Sequence, residues 1–115
     1  MKYDLEERTL KFAKNCIDLC KKVERTVINN ELVKQLVRAA CSIGANYREA
    51  NDTITKKDFI HKIGICRREA KESKYWLELA LHANQAFKAE AEPLIDEALQ
   101  LARIFASMSP IKKKN

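Results

Sequence analysis

Residues 53–75 carry seven Lys and Arg against three Asp and Glu, so the net charge of +6 on this 115-residue chain is concentrated there. At 100° per residue, Lys57, His61, Arg68 and Lys71 fall within one narrow arc of a helix. Tyr75 lies in the same arc, and Arg67 and Lys74 stand at its edge. A basic surface with an aromatic ring among its cations can neutralise phosphates and stack a base. The alternative is a solvated helix face, the commoner fate of a Lys/Arg stripe. The local excess of charge shifts the balance toward nucleic acid.

A second polar set recurs at helical spacing. Gln35, Arg38, Ser42, Asn46 and Glu49 form one row, and Glu69 and Glu72 follow on the next helix. Such a row is either a catalytic pocket or a partly buried network in which Arg38 pairs with a carboxylate and fixes helix register. No nucleophile–base pair, metal-ligand cluster or phosphate loop accompanies it, so the structural role is expected. His61 and His82 have no evident catalytic partner. Cys16, Cys20, Cys41 and Cys66 lie inside apolar periodic segments, without a CxxC or a His at metal-ligand spacing. They read as small buried hydrophobes kept reduced. The expectation is therefore no enzyme, no metal and no cofactor.

The elements that must hold these residues are helices. With 46% hydrophobic and 33% charged residues, the composition suits a packed core in a solvated shell, and two Gly and two Pro leave little material for β-turns. The length fits one domain. Asp4 with Glu7 opens a first helix whose face is Leu5, Thr9, Phe12, Cys16, Leu19 and Val23, ending near Arg25. Asn30 is the expected cap of a second, reaching about Ala50, with a core stripe of Leu32, Leu36, Ala39, Ile43 and Tyr47. This helix is expected to be the most buried. Thr55 and Asp58 open a third, which meets no breaker until about Phe87, and Phe59, Ile63, Cys66, Ala70, Ser73 and Leu77 face its core. Gly64 lies on its basic side, where close backbone approach is a reasonable suspicion. Pro93 suits the first turn of a fourth helix that Pro110 ends. Short connections make successive helices antiparallel neighbours, an all-α, up-down-up-down four-helix bundle over residues 1–110 with a short basic tail at 111–115.

The bundle has apolar surface to spare. Val33, Val37, Ala40 and Gly44 form a second apolar side of the second helix, and Ile65, Trp76 and Leu79 form one on the third. Wrapping by the other helices could cover them. A self-association surface anchored by Trp76 is the sharper expectation. No apolar run approaches the ~20 residues of a membrane span, and MKYDLEERTLKF is not a secretory signal, so the cytoplasm is the expected location.

The string QLVRAACSIGANYREA, Gln35 to Ala50, resembles the QLxRAxxSIxxNxxEA pattern of the four-helix-bundle family of bacterial 23S rRNA intervening-sequence proteins. KKDFIHKIGICRREAKESKYWLELA, Lys56 to Ala80, is similar to that family's long third helix. An FAxxxxxL pattern from Phe12 to Leu19 and an EALQLARIF ending extend the resemblance over most of the chain. It implies the bundle independently, and a homo-oligomer, with a pentameric barrel favoured. The related accessory protein of diversity-generating retroelements shares the architecture and works with a reverse transcriptase and nucleic acid, which is an analogy for function. Arg38, Ser42, Asn46, Glu49, Glu69 and Glu72 match the family pattern. Tyr47-Arg48 departs from its usual aliphatic residue. The leading expectation is a non-enzymatic, oligomeric nucleic-acid-binding bundle, RNA before DNA by family association. The rival is a protein-interaction scaffold or accessory subunit.

Overall fold

The computed structural model describes residues 4–108, and among them the chain forms four α-helices, one 3-10 turn and no strand. The basic tail at 111–115 and the stop at Pro110 lie outside the described residues. Helix α1, Leu5–Lys22, starts where Asp4 accepts a hydrogen bond from the Glu7 N–H at 3.3 Å. Glu6 and Glu7 in the first turn and Lys21 and Lys22 in the last complement the helix dipole. Its buried face is Leu5, Thr9, Phe12, Cys16 and Leu19, the expected stripe apart from half-buried Val23.

Helix α2, Val27–Asn51, begins earlier than expected: Thr26 is the cap, accepting from the Asn29 N–H at 3.0 Å, and Asn30 is already helical. The β-branched pair Val27 and Ile28 hid this start, because such residues are poor helix formers. Both are exposed there. Leu36, Ala39 and Ile43 are buried as expected, while Leu32 and Tyr47 are half-buried. With six buried residues α2 matches α3 and α4 and does not exceed them, so it is not the singular central helix the sequence suggests.

Helix α3, Lys56–Ala83, is capped by Thr55, which accepts from the Asp58 N–H at 3.1 Å. It stops short of Phe87. Asn84 leaves the helix, a 3-10 turn spans Gln85–Phe87, and α4 runs Lys88–Ser107. Pro93 therefore stands inside α4 rather than at its first turn, at the cost of one ladder hydrogen bond.

The packing follows from these faces. Thr9 meets Gly44, and Glu6 meets Arg48 and Asn51, so α1 and α2 run in opposite directions. Lys62 pairs with Glu49 and Glu69 with Arg38, which sets α2 and α3 antiparallel. Arg8 binds Glu97 and Lys22 binds Glu90, which does the same for α1 and α4. Phe12, Phe105, Leu36, Ile43, Ile63, Leu77 and Leu101 fill the shared core. Truncating either phenylalanine to alanine costs about 3–5 kcal/mol. Among the described residues no helix is long and apolar enough to cross a membrane.

Candidate functional site

Burial of Ile63, Cys66, Ala70, Ser73 and Leu77 fixes the rotation of α3 and turns the opposite arc outward. Lys57, His61, Arg67, Arg68, Lys71 and Tyr75 are all exposed on that side, as the helical wheel requires. Lys74 is different: it is half-buried, and its Nζ donates to Glu78 at 2.8 Å. Arg68 reaches Glu69 only at 3.5 Å. Lys57, Arg67 and Lys71 have no ion-pair partner among the described residues. An open concavity of about 500 Å³ lies on this face, lined by the basic residues Arg67, Arg68 and Lys71 with Gly64, Tyr75 and Trp76. Tyr75 is 54% exposed, and its ring meets that of Trp76 edge-on at 5.1 Å and 71°. An alanine methyl at Gly64 would meet nothing within 4 Å among the described residues.

The flank of α3 that faces α2 holds its charges in pairs. Arg38 donates to Glu72 at 2.6 Å, to Glu69 at 3.3 Å and to Gln35 at 3.3 Å. The hydrogen bond to Glu72, aided by Glu69, holds the guanidinium still more firmly in its charged form. Glu69 is buried and sits between Arg38 and Arg68. Glu49 belongs to a separate pair, accepting from Lys62 at 2.6 Å. Asn46 turns back on its own helix and donates to the Ser42 hydroxyl and carbonyl, both at 2.9 Å. The polar row is thus three local groups and not one constellation. Only Gln35, Arg38, Glu69 and Glu72 come together. Nothing in that group is arranged as a nucleophile beside a base.

The apolar sides divide as well. Ala40 is fully buried in the core and a side chain at Gly44 would meet Thr9 Oγ1 of α1 at 2.9 Å, so neither belongs to an outer surface. Close approach of α1 needs a small residue at Gly44, which a wheel drawn for one helix does not reveal. Val33, Val37, Ile65, Trp76 and Leu79 are half-buried and keep surface to offer. Val33 and Val37 line a groove between α1 and α2 with Ile17, Cys20 and Val23. The Trp76 indole N–H is buried with no acceptor among the described residues, and an unmet buried donor costs about 1–3 kcal/mol.

Cys16 and Cys66 are buried, Cys20 is half-buried, and Cys41 is exposed, so the expectation of four buried thiols fails at Cys41. Burial pushes the Cys66 thiol up to about 12 and Cys20 up to about 11, and it raises Cys16 further still. Such thiols stay protonated and unreactive. Among the described residues no group of three or more His, Cys, Asp or Glu is placed to hold a metal ion.

Two polar contacts were not foreseen. Asn29 and Asn84 exchange side-chain amide hydrogen bonds of 2.9 and 2.8 Å, and each also donates to a nearby carbonyl, of Glu24 and Ala80 respectively. This clasp ties the start of α2 to the end of α3. An asparagine just past a helix was the available clue. Arg8 grips Glu97 with two hydrogen bonds of 2.7 and 2.9 Å, and nothing in local spacing pairs residues so far apart.

The model of the 23S rRNA-intervening sequence protein family matches residues 1–107. Among solved structures, a protein of unknown function from the S23 ribosomal protein family of Bacteroides thetaiotaomicron is similar to the chain with a TM-score of 0.80. It is 29% identical, and the match covers 91% of this chain and 97% of that one. None of the curated proteins compared matches the chain.

Proposed function

This chain belongs to the 23S rRNA-intervening sequence protein family, and on that premise we propose that it is a non-enzymatic, homo-oligomeric nucleic-acid-binding protein of the cytoplasm, with RNA the favoured ligand. The observation that carries this reading is the contrast in charge pairing around α3. Lys57, Arg67 and Lys71 stand exposed without carboxylate partners among the described residues, while the acids on the adjoining flank are occupied by Arg38. Cations left without partners on one face can displace the counterions condensed on a phosphate backbone, and that release drives association. The S23 ribosomal name of the similar protein agrees with an RNA ligand.

Binding of a structured RNA should weaken steeply as salt rises. An Arg68→Glu/Lys71→Glu variant should bind more weakly and with a shallower slope, by about one unit of log K per log salt for each phosphate no longer neutralised. Salt-insensitive affinity, equal in wild type and variant, would sink the proposal.

The oligomer is favoured by the half-buried valines of the α1–α2 groove together with Leu10 and Ile17, which are 42% and 38% exposed on α1. A pentameric barrel is the assembly favoured by the family resemblance. Light scattering should return a mass several times that of the 13.3 kDa chain, falling toward the monomer for Val37→Asp. A monomeric wild type refutes the assembly. The scaffold reading, in which the basic face merely solubilises the particle, gains if the particle assembles and no nucleic acid binds.

A further inference from the structure

We propose that the outer face of α3 takes unpaired nucleotides, with a base stacked on Tyr75, phosphates on Arg67, Arg68 and Lys71, and the strand passing close over Gly64. This rests on the nucleic-acid reading above and adds to it the state of the strand. Four observations converge on it. The first is composition: the shallow, open depression on this face of α3 is lined by cations and aromatic rings together.

The second is the aromatic pair. Tyr75 is 54% exposed, so its ring is open to a partner, and the edge-on contact with Trp76 buttresses it. A ring presented in this way can stack on a base only when that base is not already stacked on both sides.

The third is Gly64. A glycine in the middle of a helix is unfavourable relative to alanine, and no neighbour among the described residues requires its smallness, because a methyl there meets nothing within 4 Å. It lines the same concavity as Tyr75, so its missing side chain leaves room for a group from outside to approach the backbone.

The fourth is electrostatic. Glu72 also lines the concavity, and an unpaired carboxylate there would repel phosphate; Arg38 holds it at 2.6 Å and removes that objection. A-form RNA duplex does not suit this arrangement, since its deep, narrow major groove excludes side chains such as Tyr75.

Trp76 is the only tryptophan of the chain and lines the concavity, so its fluorescence reports on the site directly. The full-length protein is titrated with a fluorescein-labelled single-stranded oligonucleotide, as RNA and as DNA, and with the same strand annealed to its complement. Anisotropy and tryptophan emission are followed at fixed salt. Single strands should quench Trp76 and bind at least about ten-fold more tightly than the duplex.

Tyr75→Ala should lose roughly ten-fold or more in single-strand affinity and leave duplex affinity unchanged, the range expected when one base loses its aromatic platform. Tyr75→Phe keeps the ring and should bind as wild type. Gly64→Leu should bind single strands more weakly while remaining folded by circular dichroism. Equal affinity for single and double strands, or a Tyr75→Ala variant that binds normally, overturns the unpaired-base proposal while salt-dependent binding leaves the nucleic-acid reading standing. Absence of binding to every strand overturns both.

Discussion

Gly44 and Gly64 each occupy the middle of a helix, where glycine forgoes about 1 kcal/mol relative to alanine, yet their surroundings are opposite. Gly44 lies where α2 crosses α1, with Thr9 Oγ1 at 2.9 Å from the position of an added methyl. Thr9 cannot yield easily: it is fully buried, β-branched, and donates to the Leu5 carbonyl at 2.6 Å. Gly64 faces open space on the outer arc of α3. The first glycine is explained inside the chain by packing. No packing contact among the described residues explains the second. The same division separates the two sides of the molecule generally, a dry interior where side chains are matched to one another and an outer helix face on which Lys57, Arg67 and Lys71 have no ion-pair partner among the described residues.

The dry side should show itself most strongly at alkaline pH. Cys16 and Cys66 have folded pKa values raised above the ordinary thiol value of about 8.5, so the unfolded chain ionises first. Their contribution is fully present below about pH 8.5 and is lost as pH rises toward about 12. Chemical denaturation across that window should show stability falling by several kcal/mol. Cys16→Ala and Cys66→Ala should start less stable but fall less steeply between about pH 8.5 and 10, below the lysine range. Equal slopes in all three would mean that these thiols are not shielded from water.

A smaller effect tests the α1–α2 contact directly. Overpacking costs about 1–3 kcal/mol and the gain in helix propensity returns about 1, so Gly44→Ala should destabilise by about 1 kcal/mol. In a Thr9→Ala background the same substitution should be neutral or stabilising, because the hydroxyl it meets is gone. A double-mutant cycle without coupling would show that Gly44 is not a packing glycine.

The smallest effect has the opposite sign. Gly64→Ala should raise stability by about 0.5–1 kcal/mol, read as a higher denaturation midpoint. If it instead destabilises the assembled protein, another copy of the chain approaches α3 at this point and the two glycines are alike after all.

Much of this arrangement was legible beforehand. The caps at Asp4 and Thr55, the α1 stripe from Leu5 to Leu19 and the α3 stripe through Ile63, Cys66, Ala70 and Leu77 follow from residue type and the 3.6-residue period. The outer arc of α3 was legible for the same reason, since fixing one face of a helix fixes the other. Apart from the start of α2, hidden by the local pair Val27 and Ile28, what escaped depended on contacts distant in sequence. The end of α3 at Ala83 carries no Gly or Pro; Asn84 leaves the helix where its amide joins Asn29, 55 residues away. Cys41 is exposed beside buried Ala40, a difference set by which side of α2 the other helices cover.

The sequence by itself therefore determined the number of helices, the buried faces of α1 and α3 and the basic character of the outer face of α3, because these depend on local geometry and on charge carried by neighbouring residues. Only the tertiary structure decided which charges on α3 are paired and which stand alone, and which of the two glycines is enclosed. Ion pairing and close approach depend on distances between helices, and those distances are set by the packing of every side chain between them.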